Sequence, residues 1–356
     1  MEDHDHYMNL ALQLAEKGRG TVSPNPMVGC VIVKDGKIVG TGYHRKAGGP
    51  HAEAFALRRA GNKARGAVMY VTLEPCSHFG RTPPCTKAII SAGIREAVVA
   101  VRDPSPGMRG IEDLKRAGVK AVVGVMEDEA RRKNEVFMKY TKVKLPFVTL
   151  KLAVTLDGSI AASTGSSRYI TSKGSQKMVH GLRTEVDAVM VGKNTVLKDN
   201  PRLTPRLARG KDPLKIVVDS RAEIPLSCNL MKNPQKLIIA TTGKAKKEKV
   251  GALERRGATI ITCPSLGGKV DLNYLMKELG KRDVTGILLE GGAELAAAAL
   301  RAGIVDKMMV FIAPKIAGKG IQAVGDLGIR DMGKALALKD IKIKRVADDV
   351  LVEGYP

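Results

Sequence analysis

The chain has 356 residues, 44% of them hydrophobic, with five cysteines, no Trp and a formal net charge of +23; that length suits about two domains, the apolar share excludes a disordered chain, and the cysteines are too sparse and odd in number for a disulfide scaffold. The longest apolar runs, such as 308–313, fall far short of the ~20 residues of a spanning helix, and the acidic start lacks a signal peptide's basic and apolar regions, so a cytoplasmic protein with reduced thiols and no membrane partner is expected. The positive charge is spread along the chain, with only short runs such as 244–249, and points to anionic partners (nucleic acid or small phosphorylated ligands) as readily as to a solvated surface.

In chain order, apolar positions recur at helical spacing near residues 5–17 and stop at Gly18. His4 and His6 are assigned to a flexible, solvated end. Residues 30–33 and 37–41 read as strands around Asp35-Gly36, a hairpin signal. Residues 51–60 read as a helix closed by Gly61, and 68–73 as a strand. Residues 86–91 form a helix between Pro83-Pro84 and Gly93. Two short strands follow at 97–101 and 121–125. A charged stretch, 127–144, leads into Leu145-Pro146-Phe147, where the boundary is placed, giving domains 1–145 and 146–356. A second strand series follows at 148–156, 188–191, 215–219, 236–241, 258–262, 286–289 and 307–312. The alternation of helices and strands argues an α/β class, and no repeat relates the halves.

The chemistry of the first domain concentrates at His51-Ala52-Glu53, Glu74-Pro75-Cys76 and Pro84-Cys85. One imidazole and two thiolates form a tripod suited to Zn²⁺, leaving a fourth position for water. The metal lowers that water's pKa to about 7. Cys85 falls at a predicted helix N-terminus, where the dipole favours a thiolate. His51 and Glu53 diverge on a regular helix and converge only if His51 lies in an irregular first turn, which Pro50 favours. Glu53 is then the proton shuttle from water to a ring nitrogen and to leaving ammonia. H-x-E with P-C-x-x-C marks zinc deaminases of nucleobases; here eight residues separate Cys76 from Cys85. Cys30, Cys228 and Cys263 have no ligand pattern and read as structural.

The long Cys–Cys loop, with Ser23-Pro24-Asn25-Pro26-Met27-Val28-Gly29, Gly42-Tyr43-His44 and Ser77-His78-Phe79-Gly80-Arg81-Thr82, resembles the bifunctional riboflavin-biosynthesis deaminase/reductases. The resemblance runs through nearly the whole chain. It implies a cytidine-deaminase-like three-layer αβα domain followed by a dihydrofolate-reductase-like α/β domain. The implied substrate is a diaminopyrimidinone ribosylamine 5′-phosphate whose 2-amino group is replaced by oxygen. It also places Asn25 and His44 near that substrate and closes the 77–82 loop over it, with Arg81 suited to the phosphate.

The second domain has no G-x-G-x-x-G. Its nearest feature is an apolar strand ending at Glu290, then Gly291-Gly292 and an Ala-rich helix, whose bare N–H groups suit a diphosphate. Residues 151–161, 167–172, 187–192 and 195–204 resemble the reductase half of the same family. That resemblance implies NADPH contacts at Ala153, Tyr169, Thr195, Asp199, Ser220, Gly292, Ala293, Glu294, Leu295, Ala296, Ala297 and Ala298. It implies ribotide contacts at Ser167, Arg183, Leu203, Arg206 and Glu290. Many members carry Trp where Tyr169 stands. Arg183 and Arg206 suit the 5′-phosphate as fork donors, Glu290 suits ribose hydroxyls, and Ser220 with Arg221 suits a 2′-phosphate. Hydride is expected at C1′ of the opened ribose, with orientation the protein's main contribution. A homo-oligomer acting on a small phosphorylated pyrimidine is expected, with no nucleic acid partner. Two other readings stand beside this one. A nucleic-acid-editing deaminase would show steep salt dependence. A zinc-stabilised binding module would unfold on chelation and turn nothing over.

Overall fold

The N-terminal end is ordered by a cap: Asp3 accepts the His6 N–H and starts helix α1 (His4–Glu16). His4 Nδ1 lies 3.0 Å from the Tyr70 hydroxyl, so this end is not the free segment the sequence suggested. The computed structural model describes residues 3–78 and 84–356. It divides into two units, Met1–Lys144 and Leu145–Pro356. Among the described residues, no helix is long and apolar enough to cross a membrane.

The first unit continues with β1 (Gly29–Lys34), β2 (Lys37–Tyr43), α2 (Ala52–Ala60), β3 (Val68–Val71), α3 (Cys85–Ser91), β4 (Glu96–Val99), α4 (Gly110–Arg116), β5 (Lys120–Val123), α5 (Glu127–Lys133) and α6 (Glu135–Val143). The sheet order is β2-β1-β3-β4-β5. The β1–β2 and β1–β3 pairs are antiparallel; β3, β4 and β5 run parallel. Side chains alternate to two cores. One holds Met8 and Leu12 of α1 with Val31 and Tyr70, and the other holds Ala52 and Ala56 of α2 with Ile32 and Met69. The result is three αβα layers. The charged 127–144 stretch forms two helices, with Ala130 in the core. At Gly42 a Cβ would lie 2.1 Å from Ala52 O. Only glycine lets the first turn of α2 sit on β2, and that contact sets where His51 emerges.

The second unit comprises β6 (Phe147–Thr155), β7 (Ser159–Ala162), α7 (Lys173–Glu185), β8 (Ala188–Gly192), α8 (Lys193–Asp199), β9 (Leu214–Val218), β10 (Leu237–Thr242), α9 (Lys247–Arg255), β11 (Thr259–Cys263), β12 (Ser265–Leu266), β13 (Lys269–Val270), α10 (Leu272–Gly280), β14 (Gly286–Glu290), α11 (Ala293–Arg301), β15 (Lys307–Ala313), β16 (Gly320–Gln322), β17 (Lys339–Val346) and β18 (Asp349–Tyr355). Its nine-stranded sheet has the order β11-β10-β9-β8-β14-β6-β15-β18-β17. The strands are parallel from β11 to β15, and β18 and β17 close the edge antiparallel. Core residues of α10 and α11 pack on one face, and Val196 of α8 and Leu253 of α9 pack on the other. Strand β17 escaped the sequence reading because it is a charged edge strand, exposed along nearly its whole length, in which Ile341 and Ile343 alternate with lysines but reach no core.

Candidate active sites

In the first unit three backbone devices converge. His51 is the residue before α2, with extended backbone (φ −75°, ψ 166°). It therefore lies outside the helix proposed for 51–60, and its ring is free to turn toward the strand ends. Cys76 follows β3, and Cys85 opens α3 directly after Pro84. The Glu74 carboxylate accepts the Asp103 and Ile111 N–H groups and anchors the loop carrying Cys76. His51 Nδ1 is 3.6 Å from Cys76 Sγ and 3.3 Å from Cys85 Sγ, and the three ligand atoms lie within 4.8 Å of one another. Tetrahedral zinc with ordinary Zn–S and Zn–N bonds sets adjacent S and N ligands about 3.6 Å apart. The donor set and its spacing fit zinc.

The charges agree with a ligand cluster. The Cys85 thiol and then the His51 ring pull Cys76 down to about 4, while the shared proton pushes Cys85 upward. The hydrogen bond with Cys76 raises His51. Cys85 also gives its backbone N–H to Cys76 Sγ at 3.2 Å. Glu53, one residue into α2 and only 3% exposed, is lifted above the usual carboxylate range by burial. Cys30, Cys228 and Cys263 are buried free thiols, and burial raises Cys30 and Cys263, the latter to about 11.

Asn25 and His44 touch one another. Asn25 Nδ2 is 3.1 Å from His44 Nε2, and His44 Nδ1 is 3.0 Å from Pro50 O. A carbonyl only accepts, so Nδ1 carries the proton. The buried ring is held below its usual pKa, so Nε2 accepts from Asn25, whose Oδ1 is the amide's acceptor atom. The His44 ring meets the His51 ring edge-on at 5.5 Å. Ser77 Oγ accepts the Arg109 N–H. Arg81 and most of the 77–82 loop lie outside the described residues.

The second unit holds a cavity of about 1050 Å³. Its lining includes Ala153, Ser167, Tyr169, Arg183, Thr195, Asp199, Leu203, Ser220, Arg221, Glu290, Gly292, Ala293, Glu294, Leu295, Ala297 and Ala298. Two residues expected there are absent from the lining. Ala296 is 0% exposed because helical periodicity turns it into the core under α11. Arg206 is exposed and lies outside the lining. Arg183 lines the cavity but does not offer a free fork. Nε and Nη2 donate to Glu290 at 2.7 and 2.9 Å, and Nη1 donates to Thr204 O at 3.2 Å. The two side chains expected to bind separate parts of a ribotide thus form one buried pair, which keeps Glu290 below the usual carboxylate range against the pull of desolvation.

The glycine turn fits a dinucleotide. Gly291 has φ +135°, and a Cβ there would meet Thr195 Oγ1 at 2.9 Å. Gly292 starts α11 with no side-chain cap, and nothing lies within 4 Å of a Cβ built on it. The first-turn N–H groups of such a helix lack intrahelical acceptors and suit a diphosphate. Ser220 Oγ accepts the Val270 N–H at 3.2 Å, so it also ties β13 to the cavity wall.

Two residues were missed. Lys151 lines the cavity and pairs in register with Glu290 across β6 and β14; burial lowers its pKa and Glu290 opposes that. A lysine inside an otherwise apolar strand was the available signal. His180, on α7, accepts the Leu207 N–H at 3.4 Å. Burial, then Arg183 and Arg206, holds it down to about 4. No sequence pattern pointed to it.

Two family descriptions match separate parts of the chain. The description "RibD C-terminal domain" matches residues 146–352, and "Cytidine and deoxycytidylate deaminase zinc-binding region" matches 1–101. The riboflavin biosynthesis protein RibD of Aquifex aeolicus (strain VF5) is 47% identical over 350 residues, covering 98% of this chain and 97% of that one. RibD of Escherichia coli (strain K12) is 40% identical over 366 residues, covering 98% of each. Among solved structures, Acinetobacter baumannii RibD (form 1) is similar with TM-score 0.89 and 34% identity, covering 99% of this chain and 98% of that one. A Thermotoga maritima diaminohydroxyphosphoribosylaminopyrimidine deaminase/5-amino-6-(5-phosphoribosylamino)uracil reductase is similar with TM-score 0.88 and 36% identity, over 99% of this chain and 98% of that one.

Proposed function

Because the chain belongs to the RibD family of bifunctional riboflavin-biosynthesis enzymes, zinc-dependent deaminases joined to NADPH-dependent reductases, we propose that its two units act in sequence on one ribotide. Residues 1–145 deaminate 2,5-diamino-6-ribosylamino-4(3H)-pyrimidinone 5′-phosphate. Residues 146–356 reduce the ribose of the resulting 5-amino-6-(5-phosphoribosylamino)uracil to the ribitylamino product. The observation that carries the reading is the convergence of His51 Nδ1, Cys76 Sγ and Cys85 Sγ beside the buried Glu53.

His51, Cys76 and Cys85 hold the zinc, which supplies the Lewis acidity that makes water a nucleophile at neutral pH. Glu53 carries one proton of the attacking water to the ring nitrogen, then carries the proton left on that oxygen to the amino group. Ammonia leaves and oxygen remains on the ring carbon. Burial suits Glu53 to this task by bringing its proton affinity toward the working pH. Asn25, oriented by His44, accepts an N–H from the pyrimidine edge.

In the second unit, Gly292, Ala293, Glu294, Leu295, Ala297 and Ala298, together with Ala153, Tyr169, Thr195, Asp199 and Ser220, hold NADPH, which supplies the hydride. Ser167, Leu203 and the Arg183–Glu290 pair orient the ribotide, with Arg206 outside the cavity lining meeting the phosphate only if its loop shifts. A full-length likeness that includes the reductase unit disfavours a nucleic-acid deaminase, and a small phosphorylated pyrimidine suits the excess positive charge.

The test follows ammonia release and NADPH oxidation together on zinc-loaded protein with the diamino ribotide. Ammonia release followed by matching NADPH loss is expected. Ammonia without NADPH loss removes the reductase assignment, and no ammonia with zinc bound removes the substrate.

A further inference from the structure

The loop that carries Asn25 is held from an unexpected side. Asn134 lies between α5 and α6, in the charged segment, and is only 4% exposed. It stands at the start of α6 yet makes no side-chain cap bond to that helix. Its amide reaches instead to Met27, distant in sequence. Oδ1 accepts the Met27 N–H at 2.8 Å, and Nδ2 donates to Met27 O at 2.9 Å. Both backbone groups of one loop residue are therefore satisfied by one buried side chain, as a strand neighbour would satisfy them.

Met27 is separated from Asn25 only by Pro26, and Pro24 precedes it. Proline removes backbone freedom, so a shift at Met27 passes to Asn25. Other bonds hold the two ends of the loop: the Asn25 N–H bonds Val22 O at 2.8 Å, the His44 N–H bonds Val28 O at 2.9 Å, and the Gly29 N–H bonds Thr72 Oγ1 at 3.1 Å. The Asn25 amide rests on His44, whose ring abuts His51.

We propose that Asn134 is a positioning residue for deamination, fixing through Met27 the place from which Asn25 meets the pyrimidine. This rests on the assignment of Asn25 to the deamination substrate. A misplacement near 1 Å at a positioning group can cost about 100-fold in rate.

The experiment measures ammonia release by zinc-loaded full chain carrying Asn134→Ala, alone and combined with Asn25→Ala. Asn134→Ala is expected to lower kcat/KM for ammonia release about 10- to 100-fold, chiefly through kcat. Zinc content and NADPH oxidation with pre-deaminated ribotide should stay at wild-type levels. On the Asn25→Ala background the same substitution should cost less than about twofold, because the group it positions is gone. Equal losses on both backgrounds, or a loss below about twofold in the single variant, overturn the proposal. Asn134→Asp serves as the second variant. It is isosteric, keeps the acceptor for the Met27 N–H and sets oxygen against Met27 O, and it should lose ammonia release in the same direction. If Asn134→Ala sheds zinc, the Asp variant decides, and zinc loss in both overturns the proposal in favour of a role in folding. Wild-type ammonia release with insensitive Asn134 variants removes this inference alone. Absence of wild-type release removes the underlying substrate assignment and this inference with it.

Discussion

Removing the Arg183 guanidinium should destabilise the second unit strongly and in a pH-dependent way. Its side chain and that of Glu290 are each 11% exposed, and two hydrogen bonds of 2.7 and 2.9 Å join them. Charge centres about 4 Å apart attract by about 4 kcal/mol at an effective dielectric near 20. Breaking a buried pair from one side costs about 3–5 kcal/mol, because the remaining charge has lost its partner. Lys151, in register with Glu290, keeps part of the attraction, so we expect about 3 kcal/mol for Arg183→Ala. In a domain of roughly 200 residues this lowers Tm by about 6–12 °C. The sign with pH follows from the carboxylate. In the wild type Glu290 lies below its usual range, so the pair's stabilisation is present above that range and is lost as pH falls through the lowered value. In Arg183→Ala burial is opposed mainly by Lys151 and raises Glu290 relative to the wild type, so the deficit grows as pH rises above the usual glutamate range and shrinks near pH 5. Calorimetry of the second unit's transition at pH 5 and pH 8 reads both effects. Arg183→Met with Glu290→Gln, which leaves no buried carboxylate, should recover a large part of the loss. A single variant that melts with the wild type, or a double variant less stable than the single, would refute the reasoning.

Glu53→Gln should reduce ammonia release by about 10²- to 10⁴-fold while zinc content and reduction of the deaminated ribotide persist; a merely slight loss would assign the proton transfer elsewhere. Chelating the zinc should abolish ammonia release and leave NADPH oxidation with the deaminated ribotide intact, read in a single coupled assay. Gly291→Ala should weaken NADPH binding about 10-fold or more, since its φ of +135° and the Thr195 hydroxyl at 2.9 Å leave no room for a Cβ; titration calorimetry with NADPH checks it. His180 is held down to about 4, so between that value and its ordinary 6.5 the unfolded chain binds the extra proton. Stability of the second unit should fall as pH drops from 6.5 toward 4, and His180→Gln should flatten that slope in urea titrations.

The two-unit α/β organisation was legible because buried parallel strands leave short apolar runs between helical segments. Boundaries slipped where packing sets them. Residues 72–73, read as strand, lie beyond the end of β3, and His51 stands just outside α2. The 127–144 stretch gave no core signal, yet its two helices bury Ala130 and place Asn134 on Met27. Helix α7 was invisible because Lys, Gly, Ser and Gln dilute its apolar stripe, while Val179 still packs against Met309 and Phe311.

Residue type and order alone determined the chemistry on offer: an imidazole, two thiols and a carboxyl in one domain, and a glycine turn after an apolar strand in the other. Those are covalent properties of the chain and survive without coordinates. Tertiary structure decided which groups share a partner. Arg183 and Glu290 come from α7 and β14 and become one ion pair, Asn25 and His44 become one hydrogen-bonded unit, and Ala296 turns inward while its neighbours face the cavity. Such choices depend on distances between residues far apart in sequence, which only the packing of sheets and helices sets.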